Sequence, residues 1–320
     1  MKRLLIVSVL FVAASLLLGG CSRPASFRPA SGVRLASFES SSAQTGPGLL
    51  LIAHGSPSAD WNRPLLDLES DVQHKLNEQG SPFLAVKLVF MEFAAPSVAD
   101  GVELMESAGC DRIVVVPLLI APSTHSHRDI PSLLGLYADE QVLAILRAEG
   151  ATPVRSRLPI TITPTLDQGE LLETVLLQRV HELSQEPENE ALVVLAHGDD
   201  AFAPVWDSRM KKLITSLCGT TGISYGDYAF VHVGQGYALN GVPVIAAAAE
   251  NRPRVLVVGC YVSMGAIGMH HRYMHTAVSM GGVTLPNPLE GKNVVLTTRG
   301  LLPNPLVADW IIGAAERALQ

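Results

Sequence analysis

The chain has 320 residues, 48% of them hydrophobic and 5% aromatic, which excludes a disordered protein and suits one large or two small domains. Twenty-three basic residues against thirty acidic ones give a formal charge of −7. With no run of Lys or Arg, that balance argues against nucleic acid as a partner.

At the start, Lys2 and Arg3 precede a largely apolar run from Leu4 to Leu18, followed by Gly19-Gly20-Cys21. A basic opening, an apolar stretch of about 15 residues and a small-residue cleavage site describe a secretory signal over residues 1–20, not a membrane span. Cysteine directly after Leu-Gly-Gly resembles the lipobox of bacterial lipoproteins, which implies an acylated Cys21 and a membrane partner through that lipid anchor. The plainer alternative is an ordinary signal with a chance cysteine. Residues 21–46, rich in Ser, Ala and Pro, read as a flexible tether. Together these features predict a lipid-anchored protein of the cell envelope on the periplasmic side. Serine rather than aspartate at position 22 points to the outer membrane in a Gram-negative cell.

From about Gly46 strands and helices alternate. Gly48–Ala53 is a short apolar run ending in His-Gly, the profile of a buried parallel strand. Asp60–Gly80 has helical spacing, with Leu65, Leu66, Leu68, Val72 and Leu76 on one side. Val86–Phe93 is the next strand, Val98–Ala108 a helix, and Ile113–Ile120 a strand. Helical pieces between Ile130 and Ala148, a strand at Ile160–Ile162 and a helix over Gly169–Leu183 complete a first half, 47–186.

The order then recurs over 187–320. Ala191–Ala196 again ends in His-Gly, Pro204–Leu217 is helical, Tyr228–Val233 extended and Val242–Glu250 helical. Val255–Val262 matches the earlier central strand, and a strand at Val294–Thr297 precedes a helix over Leu306–Leu319. His54 with His197, Phe90 with Phe230 and Arg112 with Arg254 register the halves at nearly constant separation, which signals an internal duplication. The predicted class is α/β: two tandem βαβα repeats, each a parallel sheet with helices on both faces. Cys110, Cys218 and Cys260 are odd in number and widely spaced, so no disulfide is predicted.

Ligands of open parallel sheets bind outside the carboxyl ends of the strands. In the first half those ends carry His54, Glu92 and His125, two imidazoles and a carboxylate from three neighbouring strands. A lone strand-end histidine is more often a loop hydrogen-bonder than a ligand; three metal-capable groups at one sheet edge point to a shared site. Borderline divalent metals favour imidazole, and a histidine with a pKa of about 6.5 can also accept protons near neutral pH.

These residues stand in three segments: Leu50-Leu51-Ile52-Ala53-His54-Gly55-Ser56, Met91-Glu92-Phe93-Ala94-Ala95-Pro96-Ser97, and Val114-Val115-Val116-Pro117-Leu118 with His125 and Asp129-Ile130-Pro131. Together they resemble the CbiX/SirB group of sirohydrochlorin chelatases, most clearly over 49–135 and more weakly through the second half. The resemblance implies ATP-independent insertion of Co²⁺ or Fe²⁺, with Ni²⁺ a further candidate, into a tetrapyrrole. The divalent metal is then substrate, and no organic cofactor is implied. By the same resemblance His54 and His125 handle the metal and Glu92 assists.

The chain also departs from the family. His127 and Arg128 stand where an apolar or acidic residue is more usual; in an extended loop His127 would be an added ligand, or else face solvent. Arg128 and Arg272 are candidate contacts for tetrapyrrole carboxylates. In the second half His197 mirrors His54 and His232 replaces Glu92, while His270, His271 and His275 follow the third strand. These histidines leave open a degenerate site, an all-histidine site, or residues facing the first half across a common cleft. Met264, Met269, Met274 and Met280 read as packing. No Gly-x-Ser-x-Gly, His-Glu-x-x-His, CxxC or Walker sequence supports another reaction class. A non-catalytic metal- or tetrapyrrole-binding lipoprotein on the same scaffold is the second reading.

Overall fold

Pro47–Ala53 (β1) is apolar on both alternating faces and buried from Gly48 onward, because it lies in the middle of a sheet covered on both sides. After it come α1 (Ala59–Gln79), β2 (Ala85–Phe90), α2 (Val98–Ser107), β3 (Arg112–Pro117), a π-helical turn at His125–Asp129, α3 (Ile130–Leu133), α4 (Glu140–Ala148), β4 (Ile160–Ile162) and α5 (Leu171–Leu183). The second half runs β5 (Glu190–Ala196), α6 (Ala203–Thr221), β6 (Tyr225–Phe230), a π-helical turn at Tyr237–Gly241, α7 (Val242–Asn251), β7 (Arg254–Cys260) and α8 (Ala266–Val278). It closes with β8 (Ser279–Met280), β9 (Val283–Thr284), β10 (Asn293–Leu296) and α9 (Pro305–Arg317). The computed structural model describes residues 45–232, 236–280, 283–284 and 287–320. The expected signal segment, Cys21 and the tether up to residue 44 lie outside the described residues.

The strands form two four-stranded parallel sheets of matching order, β2-β1-β3-β4 and β6-β5-β7-β10, with β8 and β9 as a separate antiparallel pair. Each is a sheet with helices on both faces. Side chains alternate along β1: Leu49 and Leu51 face a core common to both halves, and Leu50 and Ile52 face one private to the first. β5 behaves alike, with Leu192 and Val194 in the common core and Ala191 and Val193 in a private one.

The halves exchange their last helices. α5, from the first half, packs on β7 of the second, and α9 packs on α1 and β3 of the first. Arg179 of α5 is 2% exposed and donates to the carbonyls of Gly300, Leu301 and Pro303, which stitches the exchange together.

Two elements differ from the sequence reading. The strand expected at Tyr228–Val233 occupies Tyr225–Phe230, because Gly226 and Asp227 break the apolar pattern where the ladder begins. A Cβ at Gly226 would come 2.5 Å from Cys218 Sγ, so α6 packs close only over glycine. The stretch read as an extended loop from His125 to Arg128 is a helical turn instead. Cys110, Cys218 and Cys260 are free thiols, and burial pushes the Cys260 thiol up to about 12.

Candidate active site

β1 lies between β2 and β3, so successive connections leave it in opposite directions and open a crevice beyond its carboxyl end. His54 is the first residue past β1. Its Nδ1 donates to the Gly55 carbonyl at 2.6 Å, and Trp61 Nε1 donates to the His54 carbonyl at 3.1 Å. A Cβ at Gly55 would lie 1.9 Å from the Glu92 carbonyl oxygen, so only glycine lets the β1 and β2 loops meet.

That approach brings His54 Nε2 to 2.9 Å from Glu92 Oε1. Glu92 is 3% exposed, and its other oxygen, Oε2, is buried with no hydrogen-bond partner. Burial lowers the His54 imidazole, but the hydrogen bond and charge of Glu92, with the Gly55 carbonyl, outweigh it and leave the pKa above 6.5. Phe93, next in the loop, holds a left-handed φ of 61° and is 50% exposed, with its ring 6.2 Å from His54. A non-glycine residue in that region stores strain, a feature that gathers at binding sites.

His125 opens the π-helical turn after β3. Its Nδ1 donates to Asp129 Oδ2 at 2.6 Å, and its ring stands edge-on to His54 at 5.2 Å between centroids. His54, Glu92 and His125 are therefore neighbours. No group of three His, Cys, Asp or Glu residues forms a ready-made metal cage among the described residues. Glu92 Oε1 faces His54 Nε2 and Asp129 Oδ2 faces His125 Nδ1.

In the second half His197 repeats the geometry, donating Nδ1 to the Gly198 carbonyl at 2.7 Å. Its neighbour is His232, edge-on at 4.9 Å, where the first half has a carboxylate. The consequence is opposite in sign. Burial lowers the His197 pKa below 6.5, the Gly198 carbonyl works against this, and His232, His125 and His54 add to the lowering. His54, His125 and His197 share one cleft of about 310 Å³, with Phe93, Tyr261 and Arg272 also on its walls.

Of the other sequence candidates, Arg272 and Met264 line this cleft and the rest that are described do not. A helical turn sends alternate residues to opposite sides, so His127 leaves the cleft that His125 lines. Its ring packs 4.8 Å from Phe202 and its Nδ1 meets Ser126 Oγ at 2.8 Å. Arg128 is exposed and is not on the cleft wall; Arg272 is exposed and is. His270, half-buried on α8, has its Nδ1 2.8 Å from the Tyr237 hydroxyl, and His271 is exposed with its ring 6.1 Å from that of His270. The side chains of His275 and Met280 lie outside the described residues. Met264 is on the cleft wall, while Met269 and Met274 pack in the core beside β7.

Sequence reasoning gave no role to Asp129, Phe93 or Asp199. The four-residue spacing of His125 and Asp129 was the available signal, once that segment is taken as helical.

Residues 48–183 match the CbiX protein family. A sirohydrochlorin cobaltochelatase of Saccharolobus solfataricus is 36% identical over 136 residues, which cover 42% of this chain and 94% of that protein. Two solved structures of the chelatase SirB share the fold at 15% identity. SirB from Bacillus subtilis subspecies spizizenii in complex with cobalt has a TM-score of 0.54 over 86% of this chain and 95% of its own. SirB from Bacillus subtilis with Fe³⁺ has a TM-score of 0.59 over 86% of this chain and 96% of its own.

Proposed function

The chain belongs to the CbiX family, and on that premise we propose that its cleft inserts a divalent metal, Co²⁺ or Fe²⁺, into a sirohydrochlorin-like tetrapyrrole without ATP. Relatives over nearly their full length are cobaltochelatases, and the strand-end residues of this chain have the chemistry that insertion needs. The observation that carries the proposal is the His54–Glu92 pair at the cleft, 2.9 Å apart, with Glu92 Oε2 unpartnered.

Insertion exchanges one divalent cation for two pyrrole N–H protons. The Gly55 carbonyl fixes one proton on His54 Nδ1, so the Nε2–Oε1 contact shares a single further proton. Once that shared proton has left to solvent, the His54–Glu92 pair can take up two, one between Nε2 and Oε1 and one on Oε2, which matches the two that leave the macrocycle. His125, oriented by Asp129, presents Nε2 toward the cation. Phe93 offers an exposed aromatic face to the macrocycle beside His54, and Arg272 a cation to its carboxylates. His127, Arg128, His270 and His271 have no part in this scheme.

The basic-then-apolar sequence of residues 1–20 and the Leu-Gly-Gly-Cys21 that follows support a lipid-tethered protein of the envelope. No helix is long and apolar enough to cross a membrane among the described residues. The same sequence favours a second reading, a lipoprotein that captures metal or metallated tetrapyrrole without turnover.

Mixing the purified chain with sirohydrochlorin and Co²⁺ and following the absorption change separates the two. Acceleration by substoichiometric protein is expected; tight stoichiometric binding without acceleration would leave the capture reading.

A further inference from the structure

His125 opens the π-helical turn after β3, and the first N–H groups of a helical turn find no acceptor within it. Its own repeat serves part of that need. The Ser123 N–H donates to Ser126 Oγ at 2.9 Å, and the His127 N–H donates to the Ser123 carbonyl at 3.1 Å. The Thr124 N–H, immediately before His125, is served from the second half instead: it donates to Asp199 Oδ2 at 2.8 Å. Two further contacts come from the same stretch. Trp206 Nε1, on α6, donates to the Pro122 carbonyl at 2.9 Å, and the Phe202 ring packs 4.8 Å from that of His127. The loop is therefore held on both sides of His125 by residues 199–206.

The matching stretch of the first half serves only itself. Ser56 follows His54-Gly55 as Asp199 follows His197-Gly198. Ser56 Oγ accepts from the Ser58 N–H at 3.1 Å, within its own loop. Trp61 Nε1, on α1, donates to the His54 carbonyl at 3.1 Å, again within its own half. Asp199 has two acceptor oxygens where serine has one. Oδ1 does the local work, accepting from the Phe202 N–H at 3.1 Å, and Oδ2 crosses to Thr124.

We propose that Asp199 and Trp206 are positioning residues for His125, so that the second repeat serves the first-half site by fixing the loop that carries its cation-handling imidazole. The proposal rests on reading the cleft as a chelatase site. It gives the second half a part in insertion that requires no cation on its own histidines. The physical reason is the steepness of rate with geometry: displacing a reacting group by about 1 Å can cost about 10²-fold.

Asp199→Ser, made in the full chain, tests this by giving the second half the residue that the first half has at the matching position. Serine caps a helix about as well as aspartate, so the turn Asp200–Phe202 keeps an acceptor while the shorter side chain gives up Thr124. Hydrogen exchange followed by mass spectrometry is expected to quicken over 118–133 and to stay unchanged over 48–54 of β1. With Co²⁺ and sirohydrochlorin, kcat/KM is expected to fall about 10- to 100-fold. Trp206→Phe, which keeps an aromatic ring and removes the indole donor, is an independent second variant with the same expected signature. Because both act on one loop, the double variant should lose less than the product of the two single losses. Unchanged exchange over 118–133 in Asp199→Ser, or full kcat/KM with that loop loosened, would overturn the proposal and leave Asp199 as a local cap. Exchange quickened equally over 48–54 would also overturn it, since the whole fold would then have loosened. If the unaltered chain turns over no tetrapyrrole while both variants loosen 118–133 alone, the chelatase reading fails and the positioning of His125 stands.

Discussion

Glu92→Gln separates proton acceptance from simple hydrogen bonding, because it keeps the shape and one acceptor oxygen while removing the charge. Glu92 is 3% exposed and 2.9 Å from His54 Nε2, whose side chain is 38% exposed. A charge-assisted hydrogen bond contributes about 1.5–3 kcal/mol and a neutral one about 0.5–1.5 kcal/mol. Solvent reaches more than a third of the imidazole, so screening holds the difference to about 1 kcal/mol, less than a tenfold effect on any equilibrium at the site. Loss of a positioned proton acceptor is a larger matter, about 10²–10⁴-fold in rate. The expected result is therefore a fall in kcat of about 10²–10⁴-fold with little change in metal affinity and about 1 kcal/mol or less in unfolding free energy. Steady-state insertion assays beside urea denaturation read both. A Glu92→Gln enzyme within tenfold of the original rate would refute the idea that the carboxylate handles protons.

Titration of the histidine ring signals by NMR should place His54 above 6.5 and His197 below it, and Glu92→Gln should bring His54 down. The stability consequences run in opposite directions. His54, bound more tightly to its proton when folded, contributes fully below pH 6.5, and its share is lost as pH rises through its raised value. His197, buried neutral, contributes above pH 6.5, and its share is lost as pH falls toward its lowered value. Gly55→Ala should abolish insertion, since its Cβ would lie 1.9 Å from the Glu92 carbonyl oxygen and part the His54 and Glu92 loops; unchanged turnover would contradict that. Arg179→Leu leaves the carbonyls of Gly300, Leu301 and Pro303 without their buried donor and should cost about 3 kcal/mol, seen as one cooperative urea transition at lower midpoint. A loss of well under 1 kcal/mol would show that the helix exchange does not depend on it.

Periodicity made the fold class legible. Leu49–Ala53 and Ala191–Ala196 are continuous apolar runs, which parallel strands covered on both faces require, and each ends at a His-Gly pair beside the crevice. The exchange of α5 and α9 was not legible. An amphipathic helix declares which face it buries but not which sheet receives it, and Arg179 reads as an ordinary surface arginine until its three carbonyl partners are in view. The first-half trio could be read because each member follows a strand on the same edge of the sheet, His54 directly after β1, Glu92 just past β2 and His125 in the loop after β3. The position of His127 could not, because His-x-His gives no sign that Asp129 anchors a helical turn beneath His125. The contrast between His54 and His197 was half visible, as a Glu92-to-His232 exchange. Its meaning, one ring drawn toward its charged form and the other away from it, needed the distances to each neighbour.

The most direct measurement is multiple-turnover cobalt insertion into sirohydrochlorin by the unaltered chain and by His54→Ala, with protein well below the tetrapyrrole concentration. Many products per protein molecule from the first, and none above the uncatalysed background from the second, is the predicted result. Equal product from both would mean that the first-half imidazole beside Glu92 takes no part in the chemistry.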